Sequence, residues 1–342
     1  MTIGKKIRVL IVDDSLLFRE VLAKGITSDP QIEVVARAVD PFDARDKILA
    51  FNPDVMTCDV QMPKMDGIEF IRRLLPQYSL PVIVISSVSE AVLDALNAGA
   101  VDFVTKPDIR SPKDIESFLY ELIAKIKVAA KAKVTHEPEK LISHNEVNRN
   151  LKVDYNKVIA IGASTGGTEA LYNLLKNLPA AMPGILAVQH IPPVFSRMFA
   201  ERLNVQTPFH VKEAENGDYL EPRKVFIAPG DSHMRIKKIG ERYKIEIFQG
   251  NKVNGHCPSV DILFESVAKE CGKNSIGIIL TGMGYDGAKG LLQMRRKGAR
   301  TIGQDERTSV VYGMPKIAWE IGAVEKQVSL ESMPKTLLNA LL

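Results

Sequence analysis

Short runs of apolar residues, rich in valine and isoleucine, recur through the first 127 residues of the chain. Polar residues, glycine or proline bound each run, and segments in which apolar residues recur every three or four positions lie between the runs. Continuous apolar runs are typical of parallel strands buried on both faces, and their alternation with helices predicts a doubly wound α/β sheet. The predicted strands are Ile7–Val12, Ile32–Ala38, Val55–Cys58, Val82–Ile85 and Val101–Val104.

The same alternation resumes after residue 156 and predicts a second doubly wound α/β domain. A chain of 342 residues is too long for one ordinary core. The polar, aperiodic stretch 128–155 indicates a linker, in which we expect His136 and His144 to be solvated. We therefore predict domains over 1–127 and 156–342. The clearest strands of the second domain are Val158–Ile161, Ile185–Gln189, Val225–Ala228 and Ser275–Leu280, and the alternating Tyr243–Phe248 indicates an added β-hairpin.

Composition excludes several classes of protein. The net charge is only +4 and the basic residues are scattered, so we expect no nucleic-acid partner. The three cysteines, Cys58, Cys257 and Cys271, are too few and too far apart for a zinc cluster or a disulfide framework. We find no apolar run long enough to span a bilayer and no signal-type segment, which predicts a cytoplasmic protein without membrane insertion.

Polar residues follow the predicted strands of the first domain, where the carboxyl ends of parallel strands meet at one edge. Converging carboxylates need a counter-charge, which Mg²⁺ and a lysine ammonium would supply, and this arrangement suits phosphoryl transfer to a carboxylate. Taken singly, Asp14 or Ser15 could instead be a helix cap. The residues in question are Asp13 and Asp14 after the first strand, Asp59 after the third, Ser86 or Ser87 after the fourth, and Lys106 after the fifth.

The first domain resembles the receiver domain of two-component response regulators, through Val12–Ser15, Asp59–Gly67, Ile85–Ser87 and Phe103–Pro107. The resemblance implies a flavodoxin-like sheet of order 2-1-3-4-5. It also implies that a histidine kinase phosphorylates Asp59, and that Asp13, Asp14, Asp59 and the backbone carbonyl of Gln61 hold Mg²⁺. Ser86, Phe103 and Lys106 would be the switch residues. One departure is the short path from Ser87 to the next helix.

The second domain begins with an apolar run that ends in a serine among very small residues. Gly162-Ala-Ser164-Thr-Gly166 fits the G-x-S-x-G pattern of a nucleophile turn between a strand and a helix. The same five residues also fit a glycine-rich loop that binds phosphate at a helix N-terminus. These residues alone leave both interpretations open.

A nucleophilic serine needs a base, and the base needs an oriented acceptor. His190 is the best base, because it ends the strand Ile185–Gln189 and emerges at the same sheet edge as Ser164. Asp286 follows a strand among glycines whose N–H groups could stabilise an oxyanion, although it could instead be an N-cap beside a tight turn. The weaker candidates are His210, at a strand start, His233 and His256, in predicted loops, Asp231, and Asp261 in the first turn of a predicted helix.

The second domain resembles the catalytic domain of chemotaxis protein-glutamate methylesterases. The resemblance implies hydrolysis of glutamate γ-methyl esters on membrane chemoreceptors, with release of methanol, and often deamidation of receptor glutamines. It implies a triad of Ser164, His190 and Asp286, with Thr165 and the backbone N–H of Met283 as further site residues. The matching stretches are Ile161–Gly167, Val188–Pro192, Ala228–Gly230 with His233, Pro258–Asp261, Leu280–Gly287 and Gln304–Pro315.

Together the two resemblances imply an enzyme whose unphosphorylated receiver blocks the catalytic site, with Mg²⁺ in the receiver and no cofactor in the catalytic domain. Phosphorylation of Asp59 would relieve that block. Two other functions stay open: a response regulator with a non-catalytic binding domain, and a serine hydrolase acting on another acyl substrate.

Overall fold

The computed structural model describes residues 5–63, 65–87, 89–108, 110–132 and 154–342. These residues form two compact units, one before and one after the segment 133–153. Each unit is built around its own parallel sheet. Most of the predicted linker, with His136 and His144, lies outside the described residues.

The first unit has a sheet of five parallel strands in the order β2-β1-β3-β4-β5, as predicted. Buried valine and isoleucine side chains of these strands form its core. The strands are β1 (Ile7–Val12), β2 (Ile32–Ala38), β3 (Val55–Asp59), β4 (Val82–Ser86) and β5 (Asp102–Thr105). The helices are α1 (Leu16–Ile26), α2 (Pro41–Phe51), α3 (Gly67–Leu74), α4 (Ser89–Asn97) and α5 (Pro112–Ala129), so the first two residues of the predicted linker are helical.

The loop after β1 is closed by a helix cap. Ser15 Oγ accepts the N–H of Phe18 at 3.3 Å, which satisfies a free donor at the start of α1. Asp13 Oδ1 accepts the N–H of Ser15 at 2.8 Å. Ser15 is therefore the cap, and Asp14 lies exposed just outside the helix.

The second unit has a sheet of seven strands in the order β14-β13-β12-β6-β7-β9-β8, and every neighbouring pair is parallel. An antiparallel hairpin, β10 (His233–Ile239) with β11 (Arg242–Phe248), is added, as predicted. The sheet strands are β6 (Val158–Ala163), β7 (Ile185–Gln189), β8 (His210–Glu213), β9 (Lys224–Ile227), β12 (Ser275–Ile279), β13 (Arg300–Gln304) and β14 (Lys326–Val328). The helices are α6 (Gly167–Lys176), α7 (Pro193–Gln206), α8 (Val260–Glu270), α9 (Ala288–Arg296), α10 (Met314–Glu320) and α11 (Met333–Leu341).

The winding of this sheet reverses at β6. The chain moves from β6 to β7 in one direction and from β12 to β13 in the other, so right-handed crossovers place α6 and α9 on opposite faces. In agreement, α6 contacts α7 and α11, whereas α9 contacts α8 and α10. Ligands of such sheets bind at the carboxyl ends of the strands where the winding reverses, here β12, β6 and β7.

Sequence patterns missed two neighbouring strands at one side of the second sheet. β13 and β14 were not among the predicted strands, because they carry polar residues and lack a continuous apolar run, whereas β8 was indicated only by the strand start at His210. The loop prediction for His233 is wrong: it is the first residue of β10 and is buried. Across the described ranges, no helix combines the length and the apolar character needed to cross a membrane.

Candidate functional sites

The predicted acidic residues converge at the carboxyl edge of the first sheet. Asp13 and Asp14 follow β1, and Asp59 ends β3. Each offers a carboxylate oxygen, and these oxygens lie within 4.8 Å of one another. Asp13 and Asp59 are buried and Asp14 is exposed. The N–H of Gln61 donates to Asp59 Oδ1 at 3.3 Å, which holds the following loop against this carboxylate.

Lys106, directly after β5, supplies the predicted positive charge. Its Nζ lies 2.6 Å from Asp59 Oδ2 and 3.0 Å from Asp13 Oδ2. It also lies 4.5 Å from the ring centroid of Phe18, a distance typical of a cation–π contact. Burial opposes its charge, but the bonds to Asp59 and Asp13 outweigh burial and raise the pKa of Lys106 above 10.5.

The charge balance of this cluster fits a divalent cation. Burial raises the pKa of Asp13 from 3.8 to about 6, and the nearby Asp59 adds to this rise, although Lys106 opposes it. Three carboxylates share one lysine ammonium here, so the cluster carries more negative than positive charge. Three carboxylates that converge on one point are the hard oxygen ligands that Mg²⁺ prefers, so the residues present fit this ion.

Ser86 and Phe103 lie near this cluster on the neighbouring strands. Ser86 is the last residue of β4, is buried, and its carbonyl accepts the N–H of Lys106 at 3.0 Å. Phe103, in β5, is 3% exposed, and Nζ of Lys125 lies 5.0 Å from its ring centroid. Helix α4 begins at Ser89, so the path from Ser87 is short, as predicted.

In the second unit, Ser164 lies in the tight turn between β6 and α6. Its N–H donates to the carbonyl of Thr281 at 3.0 Å. Its carbonyl accepts the N–H of Gly167 at 2.6 Å and the side-chain amide of Gln189 at 2.9 Å. Gly166 has a φ of +75°, a conformation that favours glycine. The backbone of the turn is therefore fixed from three directions.

Small residues leave the space that this turn needs. A Cβ at Gly167 would lie 2.2 Å from Oε1 of Gln189. A Cβ at Gly282, in the loop after β12, would lie 2.7 Å from the Cβ of Ser164. Met283, in the same loop, is half exposed, and the carbonyl of Thr165 accepts the hydroxyl of Thr281 at 3.0 Å. Glycine is therefore needed at both positions for the serine turn to pack.

His190 and Asp286 form a close pair beside this turn. His190 follows β7, and its backbone N–H donates to the carbonyl of Ala163 at 3.2 Å. Its Nε2 lies 2.9 Å from Oδ2 of Asp286. Because the carboxylate accepts, Nε2 carries the proton and Nδ1 keeps a lone pair. Nδ1 is buried and has no hydrogen-bond partner among the residues that the structure describes.

The carboxylate of Asp286 caps the start of α8, which precedes it in the sequence, and does not cap α9, the helix that follows it. Helix α9 has Gly287 as its N-cap, without a side-chain bond. Burial alone would raise the pKa of Asp286, but its hydrogen bonds, those from His190, Asn254 and Ser259 above all, outweigh burial and hold the pKa below 3.8. Its Oδ1 accepts from Asn254 Nδ2 (2.8 Å), Ser259 Oγ (2.8 Å) and Asp261 N (3.3 Å), and its Oδ2 accepts from Val260 N (2.7 Å) as well as from His190.

The alternative histidines have other positions. His210 is the first residue of β8, at the predicted strand start, and its side chain is exposed. Nδ1 of His233 accepts the N–H of Ser259 at 3.2 Å, and its Nε2 lies 2.9 Å from the carbonyl of Asn251, which makes it a structural residue. His256 lies in a turn, as predicted, and stacks on His190 with ring centroids 3.8 Å apart.

Among the described residues, neither alternative carboxylate is hydrogen-bonded to the imidazole of His190. Asp231 is exposed and has a φ of +57°. Asp261 lies in the first turn of α8, as predicted, but it is buried and accepts the N–H of Gly290 at 2.7 Å. Asp286 is therefore the carboxylate that the fold brings to His190.

Residues 159–337 match the model of the family described as CheB methylesterase, and residues 9–115 match that of the response regulator receiver domain. The chain belongs to the CheB methylesterase family. A relative from Syntrophomonas wolfei, named protein-glutamate methylesterase/protein-glutamine glutaminase 2, is 57% identical over 97% of each chain. A relative from Escherichia coli, named protein-glutamate methylesterase/protein-glutamine glutaminase, is 46% identical over 97% of this chain and 96% of its own.

The second unit also resembles a solved structure of a CheB methylesterase. The crystal structure of the Thermotoga maritima CheB methylesterase catalytic domain is 36% identical and has a TM-score of 0.53. The match covers 54% of this chain and 97% of that domain. The fold of the CheB methylesterase unit is thus seen in a relative.

Sequence reasoning did not identify the contribution of Asn254 to this CheB methylesterase site. The dipeptide Asn254-Gly255 is a strong signal for a tight hairpin turn, and both residues have positive φ, 53° and 86°. The turn could thus be predicted from sequence. Its contact with Asp286, 32 residues further along the chain, depends on the tertiary fold.

Proposed function

We propose that this chain is a phosphorylation-activated protein-glutamate methylesterase that removes glutamate γ-methyl esters from methyl-accepting chemotaxis receptors in the cytoplasm. Deamidation of receptor glutamines is the second activity that we propose. The observation that most supports this function is the His190–Asp286 pair, with 2.9 Å between Nε2 and Oδ2, beside the turn that carries Ser164. The names of the relatives supply the substrate class.

In the proposed reaction, Ser164 Oγ attacks the ester carbonyl and His190 takes its proton. The lone pair of Nδ1 is suited to this step, because Nε2 is committed to Asp286. Asp286 stays ionised and stabilises the imidazolium. The N–H groups of Thr165 and Met283 stabilise the oxyanion. His190 protonates the departing methanol, and water then hydrolyses the acyl-enzyme.

We propose that the domain over 1–127 regulates this reaction and the domain over 156–342 performs it, with 128–155 as the linker. A chemotaxis histidine kinase donates a phosphoryl group to Asp59, whose Oδ2 lies 2.6 Å from Nζ of Lys106. Mg²⁺ held by Asp13, Asp14, Asp59 and the carbonyl of Gln61 would neutralise charge on the phosphoryl oxygens.

We further propose that Ser86, Phe103 and Lys106 couple phosphorylation of Asp59 to a change in the receiver, which then releases the catalytic site. Ser86 and Lys106 are joined by a backbone hydrogen bond of 3.0 Å, so a displacement of one strand end moves the other. Phe103 is buried two residues before the end of the same strand, β5, that Lys106 follows. These contacts support a shared response of the two strand ends to a phosphoryl group.

The experiment is methanol release from a methylated receptor, with the full chain. Ser164→Ala should abolish release and leave phosphorylation of Asp59 intact, and retained release would refute the assignment of the nucleophile. Asp59→Asn is the matched variant: it should keep basal release and lose stimulation by a phosphodonor. Hydrolysis of small esters but not of methylated receptor would instead favour a hydrolase with another substrate.

A further inference from the structure

A tight turn between the hairpin and helix α8 lies against the His190–Asp286 pair. In this turn, Val253 and His256 exchange two backbone hydrogen bonds of 2.9 Å. The two central residues, Asn254 and Gly255, have φ of 53° and 86°, the left-handed values of a type I′ turn. Such a turn has little freedom, so the side chains of Asn254 and His256 are presented at fixed positions.

Asn254 joins two buried carboxylates. Its Nδ2 donates to Asp286 Oδ1 at 2.8 Å and to Asp261 Oδ2 at 2.7 Å. The amide group thus uses both of its hydrogens. Without Asn254, the neighbouring carboxylates of Asp286 and Asp261 would lose the donor that they share. Asn254 therefore fixes the position of the carboxylate that orients His190.

His256 stacks on the imidazole of His190. The ring centroids are 3.8 Å apart and the rings are inclined by only 7°. Burial, aided by the nearby His190 and Lys252 and opposed by Asp286, lowers the pKa of His256 from 6.5 to about 4. The ring is therefore neutral near neutral pH. A neutral aromatic face is a favourable neighbour for the imidazolium that forms on His190.

The stack matters because the hydrogen bonds of the imidazole do not by themselves fix the plane of the His190 ring. Its Nε2 bonds to Asp286, whereas Nδ1 has no partner among the described residues. A single hydrogen bond leaves the ring free to rotate about the line that joins Cβ to Nε2. Contact with the flat face of His256 restricts this rotation and directs Nδ1 in one direction.

We propose, on the basis of the hydrolase function proposed above, that the turn of residues 253–256 is a positioning element for the catalytic pair. Asn254 holds the carboxylate of Asp286, and His256 holds the plane of the His190 ring by stacking. The role of His256 requires its flat ring and not its ring nitrogens. A phenylalanine at this position should therefore replace it, whereas an alanine should not.

The test compares the full chain with its His256→Phe and His256→Ala variants in methanol release. His256→Ala should lower kcat about 10- to 100-fold, the scale of a catalytic group that loses its orientation, with KM changed less than about threefold. His256→Phe should restore kcat to within about threefold of the original. His210→Ala, an exposed histidine at a strand start, is the matched control and should be silent.

A readout without substrate separates this inference from the proposed function. NMR relaxation of labelled histidine reports how far the His190 ring moves, through the order parameters of its C–H bonds. The full chain and His256→Phe should show a rigid His190 ring, and His256→Ala should show clearly lower order parameters. If the full chain releases no methanol, the proposed function fails while the NMR comparison still decides the inference. Unchanged order parameters and kcat in His256→Ala, or equal damage in a folded His256→Phe, would overturn it.

Discussion

Replacing Asp286 by asparagine should separate the orientation of His190 from the packing of the site. The carboxylate accepts five hydrogen bonds, three at Oδ1 and two at Oδ2. An asparagine oxygen can occupy only one of these positions. Its amino group must then face donors at the other position, so the substitution produces a conflict in either orientation.

The two orientations have different consequences. With the amide oxygen at the Oδ1 position, the N–H of Val260 loses its acceptor, and Nε2 of His190 faces an amino group. The proton of His190 must then move to Nδ1, and a protonated Nδ1 cannot act as the base for Ser164. With the oxygen at the Oδ2 position, the side chain of Asn254 and the N–H of Asp261 lose their acceptor, while the hydroxyl of Ser259 can rotate and accept from the new amino group. Each buried donor left without an acceptor costs about 1–3 kcal/mol, so we expect a loss of about 2–4 kcal/mol in the free energy of unfolding.

The catalytic effect should be larger than the effect on stability. A serine triad with the wrong histidine tautomer loses about 10⁴-fold in kcat, and we expect a loss of about 10³- to 10⁴-fold here. The assay is methanol release by the full chain, with urea unfolding of the same preparation. Asp218→Asn is the matched control, because Asp218 accepts a backbone N–H and contacts a lysine elsewhere in the same unit. A kcat within tenfold of the original in a folded Asp286→Asn variant would refute this account.

Two further predictions concern the same site. The pKa of His256 falls from 6.5 to about 4 on folding, so between these pH values the unfolded chain binds a proton that the folded chain does not. The free energy of unfolding should therefore fall by up to about 3 kcal/mol as the pH drops from 6.5 to about 4. His256→Phe should remove that part of the decline, which urea unfolding at several pH values measures, and equal declines in both chains would contradict it. Gly282→Ala should place a methyl group 2.7 Å from the Cβ of Ser164 and 2.5 Å from the sulfur of Met314. We expect a loss of about 1–3 kcal/mol in stability together with reduced methanol release, and unchanged values for both would show that the turn has room.

The sequence was informative where chemistry follows directly from strand ends. Ser164, His190 and Asp13 each come within one residue of a strand, and Asp59 is the last residue of its strand. Parallel strands bring such residues to one edge whatever the rest of the chain does. For this reason the convergence of the acidic residues on Lys106 could be predicted before any coordinates, whereas Asp286 lies seven residues beyond β12 and reaches His190 through the loop that follows this strand.

The sequence was uninformative where a contact depends on packing between distant segments. His233 was placed in a loop because the polar residues around it hide the strand start, and its burial follows from contacts with Ser259 and Phe248. His256 stacks on His190, although the two residues are 66 positions apart in the sequence. His256 lies in a turn outside the strands of the parallel sheet. No periodicity in the chain encodes such a contact.

The position of Asp286 shows why the site and the fold cannot be separated. The N–H groups of Val260 and Asp261, at the start of α8, both donate to this carboxylate, and the hydroxyl of Ser259 does the same instead of capping its own helix. The positive end of a helix dipole favours an anion at this position. The hydrogen bonds to Asp286, those from His190, Asn254 and Ser259 above all, keep it ionised. Its contribution to stability is therefore fully present above about pH 4 and is lost progressively as the pH falls from there toward its lowered pKa. A substitution that removes the charge must consequently weaken the helix and the catalytic pair together.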